Sequence, residues 1–154
     1  MNEKAGRMKK MNFAVTIHAK PVTVWEVLWS DETYRQWTAP FGEGSRVESD
    51  FKEGSKALFL GDNGHGMVSQ VIANRPYEFM SFRHLGEVKN GVEDTESEKV
   101  KAWAGAMEDY TLEENGEETI LSVEIDVTEN DAETMKKVFP EAFRKVKELA
   151  EEID

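Results

Sequence analysis

His18, His65 and His84 are the only imidazoles in the chain, and cysteine is absent. A thiol nucleophile, thiolate metal ligands and disulfides are therefore excluded. No two histidines stand at the i, i+4 spacing of a helical metal pair, so neither a metal nor a cofactor is expected. His18 closes a strand and His65 opens one after a glycine-rich turn, positions that suit surface residues. His84 differs, because strand alternation sets Met80, Phe82 and His84 on one face. Two readings follow. It is a buried histidine satisfied by backbone, or it is the polar group of a hollow, where Arg83, Glu108 or Asp109 would supply the neighbours that acid–base chemistry needs.

The other chemical signals are weaker. Gly61-Asp-Asn-Gly-His-Gly66 lacks the Lys and Ser/Thr of a phosphate loop and lies between strands, so it reads as a hairpin turn built on Asn-Gly. Ser45 and Ser55 follow glycines but do not form a Gly-x-Ser-x-Gly elbow. Glu93, Asp94, Glu96 and Glu98 lack calcium-loop spacing and read as a solvated acidic face. Four Trp, eight Phe and three Tyr remain. Trp25 belongs to a core. Trp37, Phe41 and Trp103 flank loops, where they either plug the core or border an opening.

The elements that position these residues follow from periodicity. Phe13, Val15 and Ile17 alternate with polar neighbours and define a first strand. Pro21 starts a helix that gathers Val24, Trp25, Val27 and Leu28 on one side, and Asp31 caps a second short helix to Trp37. Strands are expected over 45–51, 55–60, 65–73 and 78–85, followed by a polar connector over 86–94. Thr95-Glu-Ser-Glu98 has capping-box spacing for a short helix reaching Trp103. A last hairpin spans 105–113 and 118–127. From Asn130, read as a cap with Glu133, an amphipathic helix carries Met135, Val138, Phe139, Ala142, Phe143, Val146, Leu149, Ala150 and Ile153 on one face. Pro140 should kink or divide it.

At 154 residues the chain fits one domain, 11–154, behind a loose segment 1–10. The charge of −12, from 31 acidic and 19 basic residues, disfavours nucleic acid and anionic membranes as partners. The start is charged with no apolar run after it, and no stretch approaches the roughly 20 apolar residues of a membrane span, which points to the cytoplasm.

Several segments resemble the START-like, or SRPBCC, superfamily: Ala19-Lys-Pro-Val-Thr-Val-Trp-Glu-Val-Leu28, Tyr34-Arg-Gln-Trp37, Phe51-Lys-Glu-Gly54, Gly66-Met-Val68, Arg75-Pro76 and Glu108-Asp-Tyr-Thr-Leu112. Within it they are most similar to the branch named after the activator of the heat-shock-protein ATPase. The resemblance covers about residues 12–152 and rests on the order of these pieces. It implies an α+β helix-grip fold, a curved antiparallel sheet wrapped around the C-terminal helix and enclosing an apolar cavity. Members of the superfamily bind lipids, sterols, polyketides or hormones, and a minority catalyse cyclisation or ring chemistry.

Three functions are compatible with these residues. The first is binding of a small hydrophobic molecule in a cavity of about 300–1,000 Å³, lined by Trp37, Phe41, Phe59, Met67, Met80, Phe82, Trp103, Phe139 and Phe143, with His84 as the polar contact. The second is a cyclase-like or hydrolytic enzyme using the same cavity. The third, from the family name alone, is a co-chaperone or protein-interaction module, with a protein partner or a homodimer.

Overall fold

A computed structural model of the chain describes residues 8–153. In chain order it contains β1 (Met8–Ile17), α1 (Pro21–Trp29), α2 (Asp31–Trp37), a 3-10 turn (Ala39–Phe41), β2 (Arg46–Glu48), β3 (Lys56–Leu60), β4 (Gly66–Arg75) and β5 (Phe79–Lys89). There follow β6 (Val92–Asp94), α3 (Glu98–Lys101), β7 (Met107–Asn115), β8 (Glu118–Thr128) and α4 (Glu129–Ile153). The strands form one sheet in the order β1-β8-β7-β5-β4-β3-β2, and β6 pairs with β5 beyond the end of β7. Every pairing is antiparallel. The architecture is the α+β helix-grip fold, with α4 lying against β1 and β8 and covered by α1, α2 and the 3-10 turn.

Three expectations change at the strands. β1 begins at Met8, which pairs with Thr128, so three of the ten residues expected to be loose are ladder residues; residues 1–7 lie outside those described. The polar connector over 86–94 is largely strand, because β5 continues to Lys89 and turns back through Asn90 and Gly91 into β6. Both turn residues have left-handed backbones, φ 50° and 80°, as a two-residue hairpin with the twist of its strands requires. This hairpin is polar because it sits at an exposed margin. Conversely, β2 is only three residues long, shorter than the strand expected over 45–51.

The helices change in detail. Asp31, expected as a cap, is the first residue of α2 and pairs with Arg35 at 3.0 Å. In α3 the cap is Ser97, whose hydroxyl accepts from Val100 N–H, and only Glu98–Lys101 is helical. α4 starts directly after β8, with Thr128 Oγ1 donating to Asp131 at 3.1 Å; Asn130 is inside its first turn rather than capping it. Helix continues through Pro140 without division. That proline is on the exposed face, as is Lys136 one turn earlier, so water reaches the carbonyl that loses its partner. The apolar stripe is buried at Phe139, Ala142, Phe143, Val146 and Ala150, whereas Ile153 at its end is exposed.

α1 supplies the filling. Val24, Trp25, Val27, Leu28 and Trp29 are all buried, and Trp29 meets Phe51, Phe82 and Tyr110 with ring centroids 5.1–5.7 Å apart. Trp37 is held by its indole N–H, which donates to Leu28 O at 3.1 Å, so α1 and α2 are fixed to each other as well as to the sheet.

Candidate functional site

Four polar side chains meet on the inner face of the sheet. Ser69 on β4 pairs across the ladder with His84 on β5, and Tyr110 and Glu108 alternate along β7. Ser69 Oγ lies 2.6 Å from His84 Nδ1, His84 Nε2 lies 3.0 Å from a Glu108 carboxylate oxygen, and the Tyr110 hydroxyl donates to the other oxygen. A register shift makes this possible. Val68 pairs with Gly86 but Ser69 with His84, so Leu85 is an extra residue in β5 and the facing of the strand changes there. Gly86 is required at that bend, since a Cβ would come within 2.1 Å of Asp94 O.

The hydrogen bonds fix the order of groups in this chain. Ser69 is wholly buried, and Nδ1 of His84 is its hydroxyl's partner. A buried hydroxyl proton without an acceptor costs about 1–3 kcal/mol. In the tautomer with its proton on Nε2, the ring satisfies this by accepting from Ser69 at Nδ1 and donating to Glu108. Burial pushes the Tyr110 phenol well above its usual range, with the Glu108 carboxylate adding to the effect, and Tyr34 is raised for the same two reasons. Both phenols stay protonated across the physiological range.

Beside this chain the layers do not close. A hollow of about 300 Å³ lies between α2, the 3-10 turn, the sheet and α4, walled by Tyr34, Trp37, Phe41, Phe59, Met67, Tyr110, Met135 and Phe139, with Glu108 among them. A second hollow, about 390 Å³, adjoins it and shares Met67, Glu108, Ile125 and Met135; its remaining wall includes His84, Glu87, Trp103 and Asp126. Phe41 and Gly42 are exposed at the rim of the first, leaving it accessible to solvent.

Of the ten residues expected around a cavity, Trp37, Phe41, Phe59, Met67 and Phe139 line the first hollow and His84 and Trp103 the second, with Met67 in both. Met80, Phe82 and Phe143 lie elsewhere. Each is at most 2% exposed and packs in the core, where α1 side chains have closed the space. His65, expected on the open surface, is half-buried and borders both hollows, whereas His18 is exposed as expected. Of the possible acid–base partners of His84, Glu108 is in contact; Arg83 is exposed, and Asp109 bonds Ser81 and borders a groove on the outer face. Sequence reasoning missed Tyr34, Tyr110 and Met135. Tyr110 had a signal, since it stands two residues from Glu108 on a strand, and Met135 lies one turn before Phe139 on the α4 stripe.

The wall is anchored by charge at its far edge. Asp126 accepts from Met107 N–H at 2.9 Å and from Lys10 at 2.9 Å. Partial burial alone would raise its carboxyl, but these two bonds hold it below its ordinary value. Asp94 is also lowered, by backbone N–H groups of Ser97 and Glu96, so the acidic cluster around it serves a turn. Among the described residues no group of three or more His, Asp or Glu could hold a metal ion, and no helix is long and apolar enough to cross a membrane.

No known family model matches the chain, and no curated protein does. Solved structures do share its fold. Protein MLL2253 from Mesorhizobium loti superimposes with a TM-score of 0.70 at 16% identity, over 95% of this chain and 99% of that one. DynU16, described as belonging to the dynemicin biosynthetic locus, gives 0.68 at 16% identity, over 92% of this chain and 47% of its own. The Aha1 dimer from Colwellia psychrerythraea gives 0.65 at 17% identity, over 90% and 93%. At these identities the likeness establishes the helix-grip fold.

Proposed function

We propose that the chain binds a small molecule with an apolar body in the hollow between the sheet and the N-terminal half of α4. The observation that carries this reading is the space itself. Trp37, Phe41, Phe59, Met67, Met135 and Phe139 surround about 300 Å³, within the size range of small-molecule sites. Large apolar side chains around unfilled space forfeit dispersion contacts, and an apolar occupant restores them. The likeness to DynU16, a protein of a biosynthetic locus, supports a small organic ligand, and the likeness to the Colwellia Aha1 protein supports placement near that branch of the START-like superfamily. Ser69 is wholly buried, so the Ser69–His84–Glu108 chain offers no accessible nucleophile, and binding is favoured over hydrolysis.

A thermal-shift screen against fatty acids, sterols, flavonoids and aromatic polyketides tests the reading. A true ligand at a hundredfold excess over its Kd should stabilise the fold by about 2.7 kcal/mol. An unchanged melting temperature across all four classes, repeated with amine-bearing aromatics, contradicts it.

A further inference from the structure

Glu108 is an unusual residue to find in an aromatic wall. Its side chain is 14% exposed, and apart from His65 it is the one ionisable acid or base other than tyrosine around the first hollow. Its two close partners are the His84 ring and the Tyr110 phenol. Among the described residues no lysine or arginine forms an ion pair with it, and His84, the one base beside it, is shared with Ser69. Each carboxylate oxygen accepts one bond and retains a lone pair. A carboxylate partly removed from water gains from a further cationic partner at these lone pairs.

The adjoining hollow has the same sign. Glu87, Asp126 and Asp131 border it, Glu87 paired with Lys99 and Asp126 with Lys10, while no lysine or arginine pairs with Glu108 among the described residues. Tyr34, Trp37, Phe41, Phe59 and Phe139 place aromatic rings around the first hollow, and a cation is favoured over a ring face. The net charge of −12 raises the local concentration of cations.

We propose, resting on the small-molecule reading above, that the ligand is a cationic amphiphile: an aromatic or aliphatic body in the first hollow with a protonated amine placed against Glu108. Acidic ligands such as fatty acids are disfavoured by the same carboxylate. The amine replaces solvent at the free lone pairs of Glu108 and leaves the His84 and Tyr110 bonds in place. Charge-assisted bonds of this kind discriminate strongly against neutral and anionic analogues.

The test compares three ligands with one aromatic body, tryptamine, indole-3-ethanol and indole-3-propionate, by calorimetric titration of the whole protein at pH 7. The expected result is tryptamine binding about tenfold or more tighter than the alcohol, with the propionate weakest. Glu108→Gln should reduce the tryptamine-to-alcohol ratio to about twofold or less. Equal affinity for amine and alcohol, or a preference for the propionate, overturns the cationic assignment and leaves the apolar container standing. Binding of none of the three overturns the cationic assignment, and the thermal-shift screen then decides the container. The comparison on the unaltered protein carries the test by itself should the glutamine variant fail to fold.

Discussion

The two ends of the space under α4 are built from the same kinds of residue and differ in what fills them. At one end Trp29, Phe51, Phe82, Tyr110 and Phe143 pack ring against ring, because α1 delivers Leu28 and Trp29 between sheet and helix. At the other end Trp37, Phe41, Phe59 and Phe139 border unfilled space, because α2, a three-residue 3-10 turn and the β3–β4 loop cover it instead of α1. Aromatic content does not separate core from hollow. The thickness of the covering layer does. The two ends also differ in how they are held: the first by apolar interdigitation, the second by hydrogen bonds through Ser69, His84, Glu108 and Asp126.

The largest expected effect tests the packed end. Phe143→Ala removes a ring that is 2% exposed and should cost about 3–5 kcal/mol in chemical denaturation. A small loss with a large change in ligand affinity would move Phe143 into the site and blur the distinction. The polar end is tested by Asp126→Asn, expected to cost about 1.5–3 kcal/mol at neutral pH. The folded carboxyl lies below its ordinary value, so its stabilisation is complete above the unfolded value near pH 4 and is lost as pH falls through the folded value. The variant should therefore lose less stability than the native protein as pH falls below about 4. Parallel curves in that window would remove Asp126 from the account.

Much of the packed end was legible in sequence and much of the open end was not. The α4 stripe, the α1 face and the alternation of Phe13, Val15 and Ile17 are local periodicities, and burial follows them. Placing His84 on the inner face also followed from alternation. Its contacts with Ser69 and Glu108 did not, since they need a bulge at Leu85 and partners on strands 15 and 24 residues away. Nothing local distinguishes Phe82, which is filled over, from Phe59, which is not. The β6 hairpin was missed although Asn90-Gly91 is a strong turn signal, because its flanks are polar. Pro140 does not divide α4, because the carbonyl that loses its partner faces water.

Two smaller effects sharpen the contrast. Gly66 sits where β4 meets β3 at the rim of both hollows, and a Cβ there would lie 1.7 Å from Phe59 O. Gly66→Ala should destabilise by about 1–3 kcal/mol, and equilibrium denaturation together with ligand titration should show affinity falling alongside stability. Phe41→Ala should change stability by less than about 1 kcal/mol, since the ring is 37% exposed, yet weaken ligand binding. A loss comparable to that of Phe143→Ala would show that the rim is core.

Methyl resonances of methionine offer the most direct measurement. Met67 and Met135 line the open end, whereas Met80 is 1% exposed in the packed end. In protein labelled at the methionine methyls and titrated with 1-naphthol, a neutral aromatic probe, the account predicts saturable shifts at Met67 and Met135 while Met80 stays in place. Equal movement of all three, or movement of none, would contradict the claim that this fold holds an open apolar site beside a filled core.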